Sequence, residues 1–250
     1  MFQPPIHFLM CDLDGTLVDS FHDITHSCRC LLDEVGGRQL HDEEIRPCIG
    51  RGITYLVGEV LRVAGVNVDK HRITETAMKV DAAPTVLIDK NRQTPAIPLD
   101  TAVMRFREIY GRHALDATHL YPGVSDTLAA LHASHGDALT LAVLSNKPEA
   151  ATREILAAFD IGKYFTFIAG GDTFAEMKPS PLPIRRMMER NNSTPAETAI
   201  IGDSVYDLSA GKAAGVRTIA ALYGFQDAET LKALDPDFAV SAFSDILRYL

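Results

Sequence analysis

Long apolar runs and an excess of positive charge are both missing from this sequence of 250 residues. No run approaches the roughly 20 apolar residues that a membrane-spanning helix needs, and residues 1–5 lack the basic segment that opens a signal peptide. Lys and Arg total 24 against 33 Asp and Glu, and the net charge of −9 disfavours a nucleic acid or an anionic membrane as partner. We therefore expect a soluble, cytoplasmic protein.

Cysteine is scarce, and its positions match neither a CxxC pair nor a paired zinc-knuckle spacing. We expect free thiols at Cys11, Cys28, Cys30 and Cys48. His22 and His26 stand four residues apart, as two zinc ligands on a helix do, but no third ligand is apparent in the sequence. The sequence therefore predicts no zinc site at these histidines.

Apolar residues make up 46% of the chain, enough for a sizeable core, and they fall in short runs separated by helix-length amphipathic stretches. This alternation predicts the α/β class, with a Rossmann-like parallel sheet covered by helices on both faces. The predicted strands are residues 6–11, 139–144, 165–169, 198–201 and 216–222.

Between the first two predicted strands, the chain shows helical periodicity and no convincing strand. We predict helices within residues 24–35, 45–63 and 102–110, and a loop or broken helix over 81–99, where prolines interrupt the pattern. The predicted core domain therefore consists of residues 1–17 and 121–250, and residues 18–120 form an inserted helical cap domain.

Two carboxylates follow the first predicted strand directly. Asp12 and Asp14 are two residues apart, so on an extended segment their side chains point to the same side, and Gly15 then allows a sharp turn. Open α/β sheets bind their ligands at the carboxyl ends of parallel strands. Alone, this segment would also fit a solvated turn.

Polar residues follow the later predicted strands in the same way. These residues are Ser145, Asn146 and Lys147 after the second strand, Lys178 after the third, and Asp203 and Asp207 after the fourth. Because the carboxyl ends of parallel strands lie at one edge of a sheet, all of these side chains could converge on one crevice.

This set of residues has what the hydrolysis of a phosphate ester requires. Asp12 could attack phosphorus and form an aspartyl-phosphate, while Asp14 could act as general acid and then general base. Mg²⁺ would relieve the repulsion of the acidic groups, with Asp12, Asp203 and the Asp14 backbone carbonyl as ligands. We predict that the phosphoryl oxygens are bound by Gly15, Thr16, Ser145, Asn146 and Lys178.

The sequence resembles the haloacid dehalogenase superfamily of phosphatases, whose four motifs appear as DLDGT from Asp12, Ser145, Lys178 and GDSVYD from Gly202. The resemblance implies that Asp12 is the nucleophile, Asp14 the acid/base and Asp203 a Mg²⁺ ligand. It also implies that Asp207 supports the site without touching the substrate.

A further likeness to bacterial phosphoglycolate phosphatases rests on the segments SNKPEA, YFTFIAGGDTF, KPSPLP, IIGDSVYDLSAGKAAGV and LYGFQDAE, and it is looser over residues 69–99. It implies a small phosphorylated metabolite, 2-phosphoglycolate, as substrate. Arg51 lies in a segment that resembles a loop facing the active site, where it could pair with a substrate carboxylate or be an ordinary surface residue.

Other functions stay open at this point. They are hydrolysis of pyrophosphate or of another small phosphate ester, a phosphomutase that passes the phosphoryl group to a sugar, and a non-catalytic phosphate-sensing domain. The sequence fits either a monomer or a homodimer.

Overall fold

The computed structural model describes residues 5–69 and 96–250, and the chain divides into two compact units. One unit combines Met1–Phe21 with Ala117–Leu250, and the other spans His22–Asp116. The domain boundaries inferred from the sequence, at residues 17/18 and 120/121, stay a prediction.

The first unit contains a six-stranded sheet and the second is mainly helical in its described part. In chain order, the strands of the described residues are β1 Phe8–Cys11, β2 Val18–Asp19, β3 Val68–Asp69, β4 Ile97–Pro98, β5 His119–Leu120, β6 Thr140–Leu144, β7 Phe167–Ala169, β8 Thr198–Gly202, β9 Arg217–Ala221 and β10 Phe238–Val240. The α-helices are α1 Phe21–Val35, α2 Asp42–Ile45, α3 Ile53–Val63, α4 Leu99–His113, α5 Val124–His135, α6 Glu149–Ala158, α7 Leu182–Asn191, α8 Val205–Ala214 and α9 Ala228–Lys232.

The large sheet has the order β10-β9-β8-β1-β6-β7, and all of its neighbouring strands are parallel. Strand β1 lies between β6 and β8, with Cys11 level with Val143 and Ile201. Strands β6 and β7 follow one another on one side of β1, and β8, β9 and β10 follow one another on the other side, so the strand order reverses beside β1. Ligands of open α/β sheets bind at this kind of reversal, outside the carboxyl ends of the strands.

Burial explains why these strands are apolar throughout. Leu9 and Cys11 pack into one cluster of buried residues, whereas Phe8 and Met10 pack into a second cluster. Successive side chains of a strand point to opposite faces, so both faces of β1 are covered. The prediction of an α/β protein with a parallel sheet core is confirmed.

Three details of the sequence prediction are wrong. Strand β10 at the sheet edge is not predicted, and it has only three residues. Two short strand pairs, β2 with β5 and β3 with β4, lie where no strand is expected. The predicted helix over 45–63 is interrupted, because the segment Arg46–Cys48, which includes Pro47, forms a single 3₁₀ turn and Gly50 and Gly52 take positive φ angles before α3 begins.

In the inserted unit, α1 buries Ile24, Cys28 and Leu31 on one side, as its periodicity predicts. The predicted loop over 81–99 lies mostly outside the described residues, which resume with β4 and α4. Among the described residues, no helix has both the length and the apolar character that crossing a bilayer would require.

Candidate active site

The turn after β1 brings Asp12 and Asp14 to the reversal point of the sheet. The Asp12 backbone N–H donates to the carbonyl of Ile201 at 2.9 Å, which extends the pairing of β1 with β8 by one residue. Gly15 then turns the chain with φ of +82°, and a Cβ at this position would overlap the Asp203 carboxylate. Glycine at position 15 is therefore required both by backbone conformation and by the close approach of a second acidic group.

Lys178 is a buried cation between two buried carboxylates. Its ammonium lies 2.9 Å from Asp12 Oδ1 and 2.6 Å from Asp207 Oδ1, and it donates to the carbonyl of Leu144 at 2.6 Å. Burial lowers the pKa of Lys178, but the attraction of both carboxylates outweighs burial and raises the pKa above its usual value. Lys178 is therefore a fixed positive charge beside Asp12.

Asp14 has a separate set of partners. Lys147 donates to both oxygens of its carboxylate, at 3.0 and 2.9 Å, and the Ser20 hydroxyl donates to Oδ1 at 2.5 Å. The Lys147 side chain is 7% exposed, so this ion pair is largely shielded from water. The two carboxylates of the β1 turn thus each have their own lysine.

Asp203, directly after β8, is held from two directions. The backbone N–H of Phe225 donates to Oδ2 at 2.7 Å, and the Thr16 hydroxyl donates to Oδ1 at 3.2 Å. A Cβ on Gly224 would overlap the Asp203 side chain, so the loop after β9 can approach only through glycine. The β1 turn and the loop after β9 together fix this carboxylate.

Asp207 lies in the first turn of α8 and caps the N-terminus of that helix. Its Oδ2 accepts from the backbone N–H of Ser204 at 3.1 Å and from the Ser204 hydroxyl, and the Ser204 Oγ in turn accepts from the Asp207 N–H. This reciprocal pattern is a capping box, which stabilises the start of a helix. With its other oxygen on Lys178, Asp207 positions that lysine.

Three buried carboxylates, Asp12, Asp203 and Asp207, have oxygens within 4.8 Å of one another. Burial raises the pKa of Asp12 to about 7, and the charge of Asp207 adds to this, while Lys178 opposes it. Burial, followed by the charges of Asp12 and Asp207, raises the pKa of Asp203 well above its usual value. Clustered carboxylate oxygens suit a hard divalent cation such as Mg²⁺, which would relieve this repulsion.

Ser145 and Asn146, both predicted to bind phosphate, follow β6 at the same edge of the sheet. The Ser145 hydroxyl oxygen accepts from the Lys147 N–H at 3.3 Å. The Asn146 amide donates to the Lys178 carbonyl at 2.8 Å, so this side chain helps to hold the lysine segment in place. Their predicted role in binding phosphate stays a prediction.

Arg51 belongs to the inserted unit, in the interrupted segment before α3. Its guanidinium carbon lies 4.1 Å from the centre of the Tyr55 ring, a cation–π contact one helical turn away. The predicted contact with a substrate carboxylate stays a prediction.

The sequence pattern leaves Lys147 open between the site and a solvated loop, and it does not assign Ser20 or the loop around Phe225 to the site. Lys147 follows Ser145 closely, and its sequence context fits a solvated loop as well as it fits the site. Ser20 and Phe225 act through contacts with residues 6 and 22 positions away in the chain, which no local pattern predicts.

Comparison with known proteins agrees with this geometry. The model of the family described as "Haloacid dehalogenase-like hydrolase" matches residues 9–221. The chain belongs to this family. Among curated haloacid dehalogenase-like relatives, a phosphoglycolate phosphatase of Vibrio parahaemolyticus is 30% identical over 248 residues, which cover 99% of this chain and 97% of the relative. A phosphoglycolate phosphatase of Aquifex aeolicus is 32% identical over 242 residues, covering 97% of this chain and 95% of the relative.

A solved haloacid dehalogenase-like structure gives the same picture for the fold. The crystal structure of a predicted phosphoglycolate phosphatase from Haemophilus somnus aligns with a TM-score of 0.80 at 27% identity, covering 97% of both chains. The predicted resemblance to haloacid dehalogenase-type phosphatases is therefore confirmed, and so is the prediction of an enzyme of this type.

Proposed function

We propose that this protein is a Mg²⁺-dependent phosphomonoesterase that hydrolyses 2-phosphoglycolate to glycolate and phosphate through an aspartyl-phosphate. The observation that carries this proposal is the position of Asp12. Its carboxylate lies at the carboxyl end of β1, 2.9 Å from the Lys178 ammonium and next to Asp203. A nucleophilic carboxylate needs nearby positive charge if it is to meet a phosphate dianion, and Lys178 supplies part of that charge.

The reaction has two balanced steps on this chain's own groups. In the first, an oxygen of Asp12 forms a bond to phosphorus as the bond to the leaving alkoxide breaks, and Asp14, protonated at the start of this step, gives the alkoxide its proton and becomes the carboxylate that pairs with Lys147. In the second, Asp14 takes a proton from water, the water oxygen bonds to phosphorus, and the bond to Asp12 breaks. Ser145 donates a hydrogen bond to a phosphoryl oxygen, Lys178 supplies positive charge beside the phosphoryl group, and the backbone at Gly15 and Thr16 surrounds that group.

Asp12, Asp203 and the backbone carbonyl of Asp14 would hold Mg²⁺. When bound, the ion supplies charge neutralisation at the phosphoryl oxygens. Both oxygens of Asp207 already have partners within the protein, Lys178 and Ser204, so we assign Asp207 a positioning role.

The substrate is proposed from the names of the relatives. The curated relatives that cover nearly the whole chain are named phosphoglycolate phosphatases. Because 2-phosphoglycolate carries a carboxylate, the proposal also assigns Arg51 to bind that carboxylate with two parallel hydrogen bonds.

Phosphate release tests the proposal. Purified full-length protein is assayed with 2-phosphoglycolate, pyrophosphate and several sugar phosphates, first with Mg²⁺ and then with EDTA. We expect Mg²⁺-dependent release that is fastest from 2-phosphoglycolate. Asp12→Asn should abolish it, whereas the matched control Asp126→Asn, on the exposed start of α5, should leave it unchanged.

The same panel separates the alternatives. A faster reaction with another ester would keep the mechanism and change the substrate, whereas isomerisation of a sugar phosphate without release would indicate a phosphomutase. Full activity of Asp12→Asn would exclude the covalent scheme.

A further inference from the structure

Helices α1 and α4 of the inserted unit lie side by side and antiparallel. Near one end, Arg105 of α4 pairs with Glu34 of α1 through two hydrogen bonds of 2.6 and 2.7 Å. Eight residues further along α4 and eight residues back along α1, the rings of His113 and His26 meet with centroids 4.9 Å apart. The antiparallel pairing therefore joins two histidines that are distant in the sequence.

A thiol stands beside this pair of imidazoles. Cys30 lies one helical turn after His26 on α1, and its Sγ is 3.5 Å from His26 Nε2. A thiolate at 2.3 Å and an imidazole nitrogen at 2.0–2.1 Å from one tetrahedral zinc ion are roughly 3.6 Å apart. The separation of these two atoms is thus already that of two ligands of one ion.

The His113 ring brings a third possible ligand next to this pair. Its ring is nearly perpendicular to that of His26, at 81°, and two imidazoles on one tetrahedral ion have centroids roughly 5 Å apart. The Nδ1 of His113 is 2.7 Å from Asp116 Oδ2. A carboxylate on one ring nitrogen fixes the tautomer in which the other nitrogen, Nε2, offers its lone pair to a metal.

We propose that His26, Cys30 and His113 form a site for a divalent transition metal with affinity for sulfur and nitrogen, such as Zn²⁺, separate from the carboxylate cluster at β1. The three ligand atoms do not all lie within 4.8 Å of one another, so metal binding would require the His113 side chain to move closer to His26 and Cys30. A fourth position would be left to water.

The proposed site uses His26 but not His22, the other histidine of the pair that stands out in the sequence. The His22 ring lies parallel to that of His26 at 6.3 Å, and its side chain is 73% exposed. His22 is therefore less well placed than Cys30 and His113. The sequence could not reveal His113, because it reaches His26 only through the packing of α4 on α1.

Metal binding would release the Cys30 thiol proton, because the thiolate is the form that coordinates a metal ion. An ordinary helix-surface hydrogen bond between Cys30 and His26, with His113 at a helix end, is the competing explanation.

Cobalt binding decides between the two. Full-length protein, reduced and freed of metals, is kept in saturating Mg²⁺ so that the carboxylate cluster is filled, and Co²⁺ is titrated in. We expect one equivalent to bind with a near-ultraviolet charge-transfer band, which arises only when a thiolate coordinates the ion. Zn²⁺ should displace Co²⁺ and abolish the band.

Variants identify the ligands. Cys30→Ser should lose the band, and His113→Gln should weaken Co²⁺ binding by at least tenfold. Asp116→Asn should weaken it by roughly 10- to 100-fold, because this carboxylate orients a ligand without touching the ion.

Two matched controls, Cys48→Ser and His119→Gln, should leave the band and the affinity unchanged. Absence of the band in the unmodified protein would overturn the proposal, as would an unchanged band in Cys30→Ser. Both readouts are independent of phosphatase activity, so the metal site and the proposed function can fail separately.

Discussion

Replacing Lys178 with methionine should destabilise the protein strongly, because it removes the charge that three buried groups share. The Lys178 side chain is 1% exposed, and those of its partners Asp207 and Asp12 are 0% and 12% exposed. Removing one partner of a buried ion pair costs roughly 3–5 kcal/mol, since the other charge stays buried and uncompensated. For a chain of this size, such a loss lowers the melting temperature by roughly 6–20 °C.

The loss should depend on pH in a defined direction. The pKa of Asp12 is already raised to about 7, mainly by burial, and removing Lys178 removes a group that opposes this shift. When the pKa of a carboxyl group is higher in the folded protein than in the unfolded chain, its contribution to stability is fully present below the pKa of the unfolded chain, about 4. This contribution is lost as the pH rises towards the pKa of the folded protein. Lys178→Met should therefore be more destabilised at pH 8 than at pH 5.5.

Thermal unfolding followed by circular dichroism, with EDTA present, measures both effects. The matched control is Lys232→Met, because Lys232 also forms a lysine–carboxylate pair, with Glu229 at 2.8 Å, but its side chain is 50% exposed. An exposed pair contributes roughly 0–1 kcal/mol, so this control should hardly move the melting temperature.

Equal, small losses in Lys178→Met and Lys232→Met would refute the reasoning. A double variant shows whether a large loss of stability comes from an uncompensated buried charge or from poorer packing. Adding Asp207→Asn to Lys178→Met removes one uncompensated charge and should recover part of the stability. If the double variant is less stable than Lys178→Met, the loss does not come from buried charge.

Three further predictions concern single positions. Gly15→Ala should lower the free energy of unfolding more than Gly65→Ala does, as measured by denaturant titration. Both glycines have a positive φ, which costs about 1–2 kcal/mol for alanine, but only at Gly15 does the added Cβ overlap Asp203. Equal losses in the two variants would contradict this reasoning. Arg51→Lys should raise KM for 2-phosphoglycolate with little change in KM for an ester lacking a carboxylate, and parallel changes would count against a carboxylate contact. The hydrogen bond from Arg38 lowers the pKa of Glu44 to about 2. The stabilisation of the folded protein by this pair is therefore complete above the pKa of Glu44 in the unfolded chain, about 4.3, and is lost as the pH falls towards 2. The difference in melting temperature between the unmodified protein and Glu44→Gln should therefore shrink from pH 5 to pH 2, and a constant difference would be evidence against the pairing.

The parts of the fold that follow from local pattern could be predicted from the sequence. Strands such as β1 and β8 are buried on both faces, so their runs are continuously apolar, and parallel pairing then brings the residues after them to one edge. For this reason the sequence alone assigns Asp12 and Asp203 to one site. Strand β10 was not predicted because its apolar run, Phe238–Val240, has only three residues, whereas β7 lies in a longer run over residues 165–169.

Contacts between distant segments could not be predicted in this way. The lysine after β6 is compatible with a solvated loop until the turn after β1 places Asp14 within 3.0 Å of it. Likewise, His113 becomes a partner of His26 only when α4 packs against α1. In both cases the side chains are ordinary for their local sequence, and their chemistry comes from tertiary packing.

The charges assembled at the end of β1 provide an argument for a metal that does not depend on family resemblance. Asp12, Asp203 and Asp207 together carry three formal negative charges, and Lys178, which pairs with two of them, carries one positive charge. The site therefore has an excess of two negative charges, which the raised pKa values of Asp12 and Asp203 reflect as a tendency to take up protons. A phosphate ester is itself close to a dianion at neutral pH, so this excess would repel it. One divalent cation balances the excess, and we therefore expect that substrate binding requires the cation even before any bond to phosphorus changes.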